Sequence, residues 1–397
     1  MKFNNKNLIH YLIFGFALLN FLIVFGLRLI FNNSLKKNVI LTGHKLIGNL
    51  EVLFKSQKKY STSMYYITLN PIYYVQQKQI YKSSGLESKI LCALLPWHLW
   101  KYLSSQIIIA SHGVFFHSLI VKFLKITTIF CGHALDGVYP VGGNRESKTL
   151  KDLHTYKEVW MYSEFEKEMY TDKFEYEKKN LVVTGYARLA YLHDNKKQQK
   201  KLKEKVNLDK KIILYAPTAS RNNRKYLNSK FSPFKLSNLV NFEEFLKTID
   251  TVMIIKPHIN DRFSPKVKDF LTKSKYLIQA DNIKLNYDYD YLILSDILIT
   301  DYSTIYTDYL VLDKPIIFLA PPDPNKSKEY KYTEVLNNQY INRLSDFNQF
   351  TNEVINCLGE NSNNINNFKL KDIIYKDLEI HKITQNCFIS INKHLIN

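Results

Sequence analysis

Asp301-Tyr302-Ser303-Thr304 follows the apolar run Ile297–Thr300 and precedes the helix-like segment "IYTDYLVL" (305–312). Two hydroxyls beside a fresh helix start, backed by unsatisfied backbone N–H groups and the positive end of the helix dipole, make a seat for an anion. A plain N-cap accounts for one hydroxyl; a phosphate accounts for both Ser303 and Thr304. "IIKPHIN" (254–260) sets Lys256 and His258 directly after another apolar run, with Pro257 turning the chain out of the sheet. Lysine supplies a point charge for phosphate, and histidine donates to a phosphoryl oxygen or shuttles a proton. "LYAPTASRN" (214–222) closes a third run with Thr218, Ser220 and Arg221. Hydroxyls and a guanidinium in that place suit a diphosphate or a ribose.

Two further histidines follow apolar runs in the first half, His112 in "SHGVFFH" (111–117) and His133 in "CGHALDG" (131–137). Either can serve as the general base that an acceptor hydroxyl needs, because imidazole titrates near neutrality. The chemistry these types suit is phosphate binding beside a general base. "DYD" (288–290) has the Asp-x-Asp form of a metal-binding motif, but it sits in "LNYDYDYLILSD", where Tyr291, Leu292 and Leu294 mark a helix face. No His, Asp or Glu cluster has metal-ligand spacing, so no metal ligand is assigned. No cofactor is required by the sequence, and a divalent cation is not indicated. The absence of a Gly-x4-Gly-Lys-Ser/Thr loop and of Gly-x-Gly-x-x-Gly argues against ATPase and dehydrogenase chemistry.

These residues need strand ends to carry them. "NVILTG" (38–43), "MYYITL" (64–69), "QIIIAS" (106–111), "ITTIFC" (126–131), "EVWMYS" (158–163) and "NLVVTG" (180–185) are short, β-branched or aromatic runs that predict strands. Amphipathic stretches such as "YSEFEKEMYTDKFE" fall between them, the alternation of a parallel sheet covered by helices. The pattern restarts with "KIILYAPT", "TVMIIKPH", "KYLIQA", "DILITDYS" and "KPIIFLAPP". The fold class expected is therefore α/β, two Rossmann-like doubly wound domains facing a cleft. The boundaries read as an N-terminal anchor at 1–34, an acceptor-side α/β domain at 35–193 and a charged linker at 194–211. A nucleotide-donor-binding α/β domain follows at 212–360, and closing helices at 361–397.

Residues 11–27, "YLIFGFALLNFLIVFGL", carry no charge. As a helix these residues reach about 26 Å, just short of the hydrocarbon core of a bilayer. With no small-residue cleavage pattern after it, this segment reads as a retained membrane anchor, either spanning the bilayer or lying on it. Lysines and Arg28 around it favour catalytic domains on the cytoplasmic side. The whole chain of 397 residues has 55 Lys+Arg against 36 Asp+Glu, a net charge of +19, which suits an anionic membrane surface and phosphorylated substrates. Aromatic-and-basic nucleic-acid motifs do not stand out, so no nucleic-acid partner is expected. The four cysteines have no CxxC pair and read as reduced thiols.

Taken in order, these motifs resemble the CDP-glycerol glycerophosphotransferase family of teichoic-acid and capsule polymer synthesis. The resemblance rests on "YAPT" at 215–218, "KPH" at 256–258, "DILITDYST" at 296–304, "DKPIIF" at 313–318 and, before them, "VTGYARLAYL" at 183–192. It implies a GT-B-like architecture, with the acceptor on the first domain and the nucleotide donor on the second. It also implies transfer of a polyol phosphate, glycerol phosphate foremost, from a CDP-polyol to a hydroxyl of a lipid-linked polyol-phosphate or glycan acceptor, releasing CMP. On this reading Lys256, Arg221, Thr218, Ser303 and Thr304 hold the donor phosphates. His258 acts on the phosphoryl group, and His133, or else His112, is the base. The chain departs from the family pattern at Ala134, where a glycine follows the first-domain histidine, and at Ala190, where aspartate is common. The alternative is a GT-B glycosyltransferase that uses a nucleotide sugar.

Overall fold

The computed structural model describes residues 8–31, 35–115, 117–132, 153–173, 178–217, 239–257, 263–301, 303–319, 341, 343–344, 346–359 and 365–395. Two compact units emerge, one from Met1–His133, Asn144–Arg188 and Glu379–Asn397, the other from Ala134–Gly143 and Leu189–Leu378.

The first unit is built on parallel strands β1 (Lys36–Thr42), β2 (Met64–Thr68), β3 (Ile90–Cys92), β4 (Ser105–Ala110), β5 (Thr127–Phe130), β6 (Glu158–Met161) and β7 (Leu181–Val183), in the order β3-β2-β1-β4-β5-β6-β7. The second has β8 (Lys211–Tyr215), β9 (Thr251–Ile255), β10 (Leu277–Gln279), β11 (Ile297–Thr300), β12 (Ile316–Leu319) and β13 (Arg343–Leu344), in the order β10-β9-β8-β11-β12-β13. Both sheets are parallel at every described pairing. Their central strands are apolar on both faces, as in β9, where all of Thr251–Ile255 is buried. That is the composition a helix-covered parallel sheet demands. Each sheet starts at a central strand, grows to one side, then reverses, so β1/β4 and β8/β11 are the two switch points where such sheets bind ligands.

Each of the eleven runs expected as strands contains one. β3 and β13 were not foreseen, being three and two residues long. Residues 194–211 include the helix Gln199–Lys205, which belongs to the second unit. There Asp296 accepts from Lys203 Nζ (2.9 Å) and from Ile212 N (2.8 Å), fastening that helix to the start of β8. Of the last helices, Ile365–Tyr375 belongs to the second unit and Ile383–Leu395 to the first. Gly185, with φ +74, permits the latter: a Cβ there would stand 2.5 Å from Ile383 Cγ1. Glu158, buried on β6, completes the attachment by accepting from Ser390 Oγ and pairing with His394 Nε2 at 2.8 Å. All four cysteines are free thiols; Cys92, Cys131 and Cys387 are buried.

The N-terminal helix runs over Leu8–Phe31. Its 24 residues reach about 36 Å, longer than the uncharged stretch alone and enough by length for a bilayer core. One face packs on the first unit. Phe21 and Val24 join the core cluster of Ile40, Ile67, Leu91 and Ile108, and Asn20 Nδ2 donates to the Leu94 carbonyl at 3.0 Å. Full burial of each apolar side chain contributes about 2 kcal/mol, so the half of the helix from Ala17 to Arg28 is held on the domain. Leu12, Phe16, Leu19, Leu22, Ile23, Ile30 and Phe31 face outward.

Candidate functional site

In the second unit, register places Ile255 of β9 beside Tyr215 of β8, and Tyr215 beside Ile299 of β11. The three strands therefore end side by side. Lys256 N donates to Tyr215 O (2.9 Å), Ala216 N donates to Ile299 O (3.0 Å), and Thr300 Oγ1 donates to Ala216 O (2.7 Å). With parallel strands about 4.8 Å apart, the backbones entering the Lys-Pro-His, Tyr-Ala-Pro-Thr and Asp-Tyr-Ser-Thr motifs lie within about 10 Å of one another. Two of the three stand at the β8/β11 switch point. Three stretches separated widely in sequence are thus delivered to one sheet edge by strand order alone.

The turn after β11 is built differently from a simple cap. Asp301 Oδ1 accepts from Ser303 N (3.2 Å), and Arg343 Nη1 donates to the Asp301 carbonyl (2.8 Å) while its guanidinium lies over the Phe318 ring. Thr304 occupies the N-cap position with α-helical backbone (φ −66, ψ −2) and makes no side-chain capping bond. Among the described residues neither the Ser303 nor the Thr304 hydroxyl is engaged, so the plain-cap explanation of those hydroxyls does not hold. The helix that follows is short, Ile305–Tyr309, passing into a 3-10 turn that ends at Asp313 with φ +57. The dipole behind the turn is correspondingly small, leaving hydroxyls and cations as the main anion donors.

Lys256 is partly buried and pairs with Asp288 Oδ1 at 3.1 Å, its ammonium 5.6 Å from the centre of the Tyr291 ring. Burial, reinforced by Asp288, pushes the Tyr291 phenol up to about 12. Its hydroxyl donates to the Ala280 and Ile283 carbonyls. Both aspartates of the "DYD" stretch are committed to the protein: Asp288 to Lys256, and Asp290 to the Tyr191 hydroxyl and Tyr287 N.

In the first unit His112 follows β4 at the β1/β4 switch point. It is exposed, with Nδ1 2.8 Å from Ser111 Oγ. Its ring lies 4.4 Å, centre to centre, from that of His44, which follows β1. His44 was not singled out from the sequence; only the nonlocal pairing of β1 with β4 gives it a partner. Arg343 was missed for the same reason, and Asp288, weighed only as part of a metal motif, was not foreseen as the partner of Lys256. His117, the other histidine of that loop, is spent on Thr128 and Thr155. His133, His258, Thr218 and Arg221 lie outside the described residues.

Several known proteins are similar to this chain. A teichoic acid poly(glycerol phosphate) polymerase of Bacillus spizizenii is 30% identical over 179 residues, 43% of this chain and 43% of that protein. The teichoic acid ribitol-phosphate polymerase TarK of Staphylococcus aureus is 29% identical over 224 residues, 52% of this chain and 41% of that one. A teichoic acid glycerol-phosphate primase of Bacillus subtilis is 27% identical over 278 residues, 66% and 69% of the two chains. The matches thus span less than half the length of the two polymerases. Among solved structures, a variant of the wall teichoic acid polymerase TagF superposes with a TM-score of 0.70 at 16% identity, over 91% of this chain and 90% of that one. A UDP-GlcNAc 2-epimerase from Neisseria meningitidis gives 0.55 at 13% identity, over 91% and 99%. These likenesses establish the GT-B-like fold. The family model for CDP-glycerol:poly(glycerophosphate) glycerophosphotransferases matches residues 28–376, and the chain belongs to that family.

Proposed function

We propose that the chain transfers a polyol phosphate, glycerol phosphate foremost, from a CDP-polyol to a hydroxyl of a lipid-linked cell-wall polymer. The acceptor oxygen attacks the phosphorus that carries the glycerol. The bond from that phosphorus to the bridging oxygen breaks, CMP leaves with the electron pair, and the acceptor proton passes to a base. The observation that carries this reading is the side-by-side ending of β9, β8 and β11, each leading into a phosphate-type motif.

On this reading Ser303, Thr304 and Lys256, with Thr218 and Arg221, hold the diphosphate, and His258 stabilises or protonates the leaving phosphate. Fixed donors aimed at developing charge are the largest single source of rate in such chemistry. Lys256 would exchange its bond with Asp288 for the donor phosphate, which makes Asp288 a placeholder that keeps the ammonium in position. His133 is the first choice for the base and His112 the second. On this reading these side chains supply the charge stabilisation, and chelation with EDTA should leave turnover unchanged.

The membrane arrangement is part of the proposal. The N-terminal helix has its inner face in the core of the first domain and its outer face apolar along its length. Trp97 and Phe123, both exposed, flank it: Trp97 on the helix Pro96–Leu103 that packs against it, Phe123 edge-on to Phe25. A helix with its half from Ala17 to Arg28 packed on the domain beside Trp97 and Phe123, and an exposed apolar half before it, suits anchoring in an anionic cytoplasmic leaflet.

The test is CMP release by the purified chain from CDP-glycerol, CDP-ribitol and UDP-GlcNAc in the presence of lipid-linked acceptor. Release from a CDP-polyol that depends on acceptor is expected. Turnover of the nucleotide sugar alone would replace this reading with a glycosyltransferase.

A further inference from the structure

We propose that Arg343 is a positioning residue for the donor: it holds the Asp301 carbonyl and thereby sets where Ser303 and Thr304 present their hydroxyls. The consequence for turnover rests on the function proposed above; the tether itself does not.

Arg343 owes its place to β13, a strand of two residues at the edge of the second sheet. Parallel pairing sets Arg343 beside Phe318 and Leu344 beside Leu319. Successive side chains on a strand point to opposite faces. Leu319 and Leu344 accordingly pack in the core cluster that holds Phe242 and Phe350. Phe318 turns to the other face, where Tyr306 meets its ring edge-on at 5.3 Å. Arg343 shares that face, with its guanidinium 5.5 Å from the centre of the Phe318 ring. From there Nη1 donates to the Asp301 carbonyl at 2.8 Å.

Asp301 passes that hold on to the turn. Its carbonyl takes the guanidinium, and its Oδ1 accepts from Ser303 N at 3.2 Å, so one residue is bonded both to the sheet edge and to the chain that carries the hydroxyls. The helix behind the turn gives it little fixing of its own: Thr304 makes no side-chain capping bond, and Ile305–Tyr309 is only five residues long. A guanidinium bonded to a carbonyl makes a charge-assisted bond, stronger than a neutral one. Lying against an aromatic ring, its flat fork has few orientations open to it. Donors held in place before a ligand arrives need no ordering when it binds, and a small misplacement of such groups is expensive. The same wall supplies a control. The Tyr306 hydroxyl is buried and has no hydrogen-bond partner among the described residues, so it tethers nothing.

The experiment compares Arg343→Met, Arg343→Lys and Tyr306→Phe with the wild type, as full chains, by steady-state kinetics and by hydrogen–deuterium exchange without ligand. Arg343→Met should raise the KM for CDP-glycerol about tenfold, the scale of one charge-assisted hydrogen bond, with kcat within about threefold and the KM for acceptor unchanged. Arg343→Lys keeps a charged donor for the carbonyl and should return the KM to within about threefold of wild type. Tyr306→Phe should match the wild type within about twofold, because it removes a hydroxyl that bonds to nothing. A peptide covering residues 301–309 should exchange about tenfold faster in Arg343→Met, and peptides of the first unit should not change. A wild-type KM in Arg343→Met, equal losses for both substrates, a lysine variant as poor as the methionine one, or a phenylalanine variant equally impaired would overturn the proposal. If Arg343→Met does not fold, Arg343→Gln, polar but too short to reach the carbonyl, takes its place with the same expected split. Faster exchange in a chain that never releases CMP would discredit the proposed reaction and not the tether. Unchanged exchange and KM in variants of a chain that does release CMP would discredit the tether and leave the reaction standing.

Discussion

Thr300 Oγ1 donates a 2.7 Å hydrogen bond to the main-chain carbonyl of Ala216, joining the ends of β11 and β8 where the strand order of the second sheet reverses. Both residues are buried. The bond ties the start of the turn at Asp301 to Ala216, the residue that leaves β8.

Replacing Thr300 by valine keeps the shape and removes the donor. The Ala216 carbonyl is then left short of a partner, at a cost of about 1–3 kcal/mol. Urea denaturation should show that loss, and the KM for CDP-glycerol should rise alongside it. A variant with wild-type midpoint and KM would mean the bond positions nothing.

Lys256 and Asp288 make unequal predictions although they form one ion pair. Lys256→Ala removes a cation from the donor seat and should lower kcat/KM for CDP-glycerol by about 10–100-fold, the worth of one or two charge-assisted bonds. Asp288→Asn leaves the ammonium in place and should change kcat/KM by less than about threefold. Steady-state kinetics on both variants separates a ligand-binding lysine from one that only braces the loop.

The C-terminal helix should prove to be a structural part of the first domain. Glu158 accepts from Trp160 Nε1 and Ser390 Oγ and pairs with His394. Glu158→Ala should destabilise the protein by about 3 kcal/mol, as for other buried pairs that lose one partner. Chemical denaturation followed by far-ultraviolet circular dichroism reads this directly, and an unchanged midpoint would refute it.

Lys314, in the Asp-Lys-Pro stretch, donates to the Ile293 and Ser295 carbonyls, and burial pushes its ammonium down to about 8 from the ordinary 10.5. Between those values the unfolded chain binds more protons than the folded one, so this group makes stability rise with pH from about 8 to 10.5. Below pH 8 both states are protonated and the slope vanishes. Subtracting the denaturation midpoints of Lys314→Met from those of the wild type across this window should isolate that rise. A flat difference would show that the two carbonyls fully offset the burial.

Much of this was legible in the sequence because parallel-sheet strands are short, apolar on both faces and bounded by turn residues, as "TVMII" and "ILIT" are. β3 and β13 escaped because three or two residues carry no periodicity. Strand order was illegible, since β8 pairs with both β9 and β11 through contacts of long sequence separation. That same nonlocality hid His44, which along the chain looks like any solvated loop histidine, and Arg343, which meets Asp301 across 42 residues. The N-terminal helix was visible as an apolar stretch. Which side enters the core was not, because Phe21 and Leu22 are equally apolar and only the domain beneath tells them apart.

The claim on which the account turns is that the ends of β8, β9 and β11 make one seat for a CDP-polyol. Calorimetric titration of the full chain with CDP-glycerol addresses it without requiring the acceptor. The account predicts saturable binding that weakens by about tenfold or more in both Ser303→Ala and Lys256→Ala, one lost charge-assisted bond each. Binding at wild-type strength in both variants would contradict it.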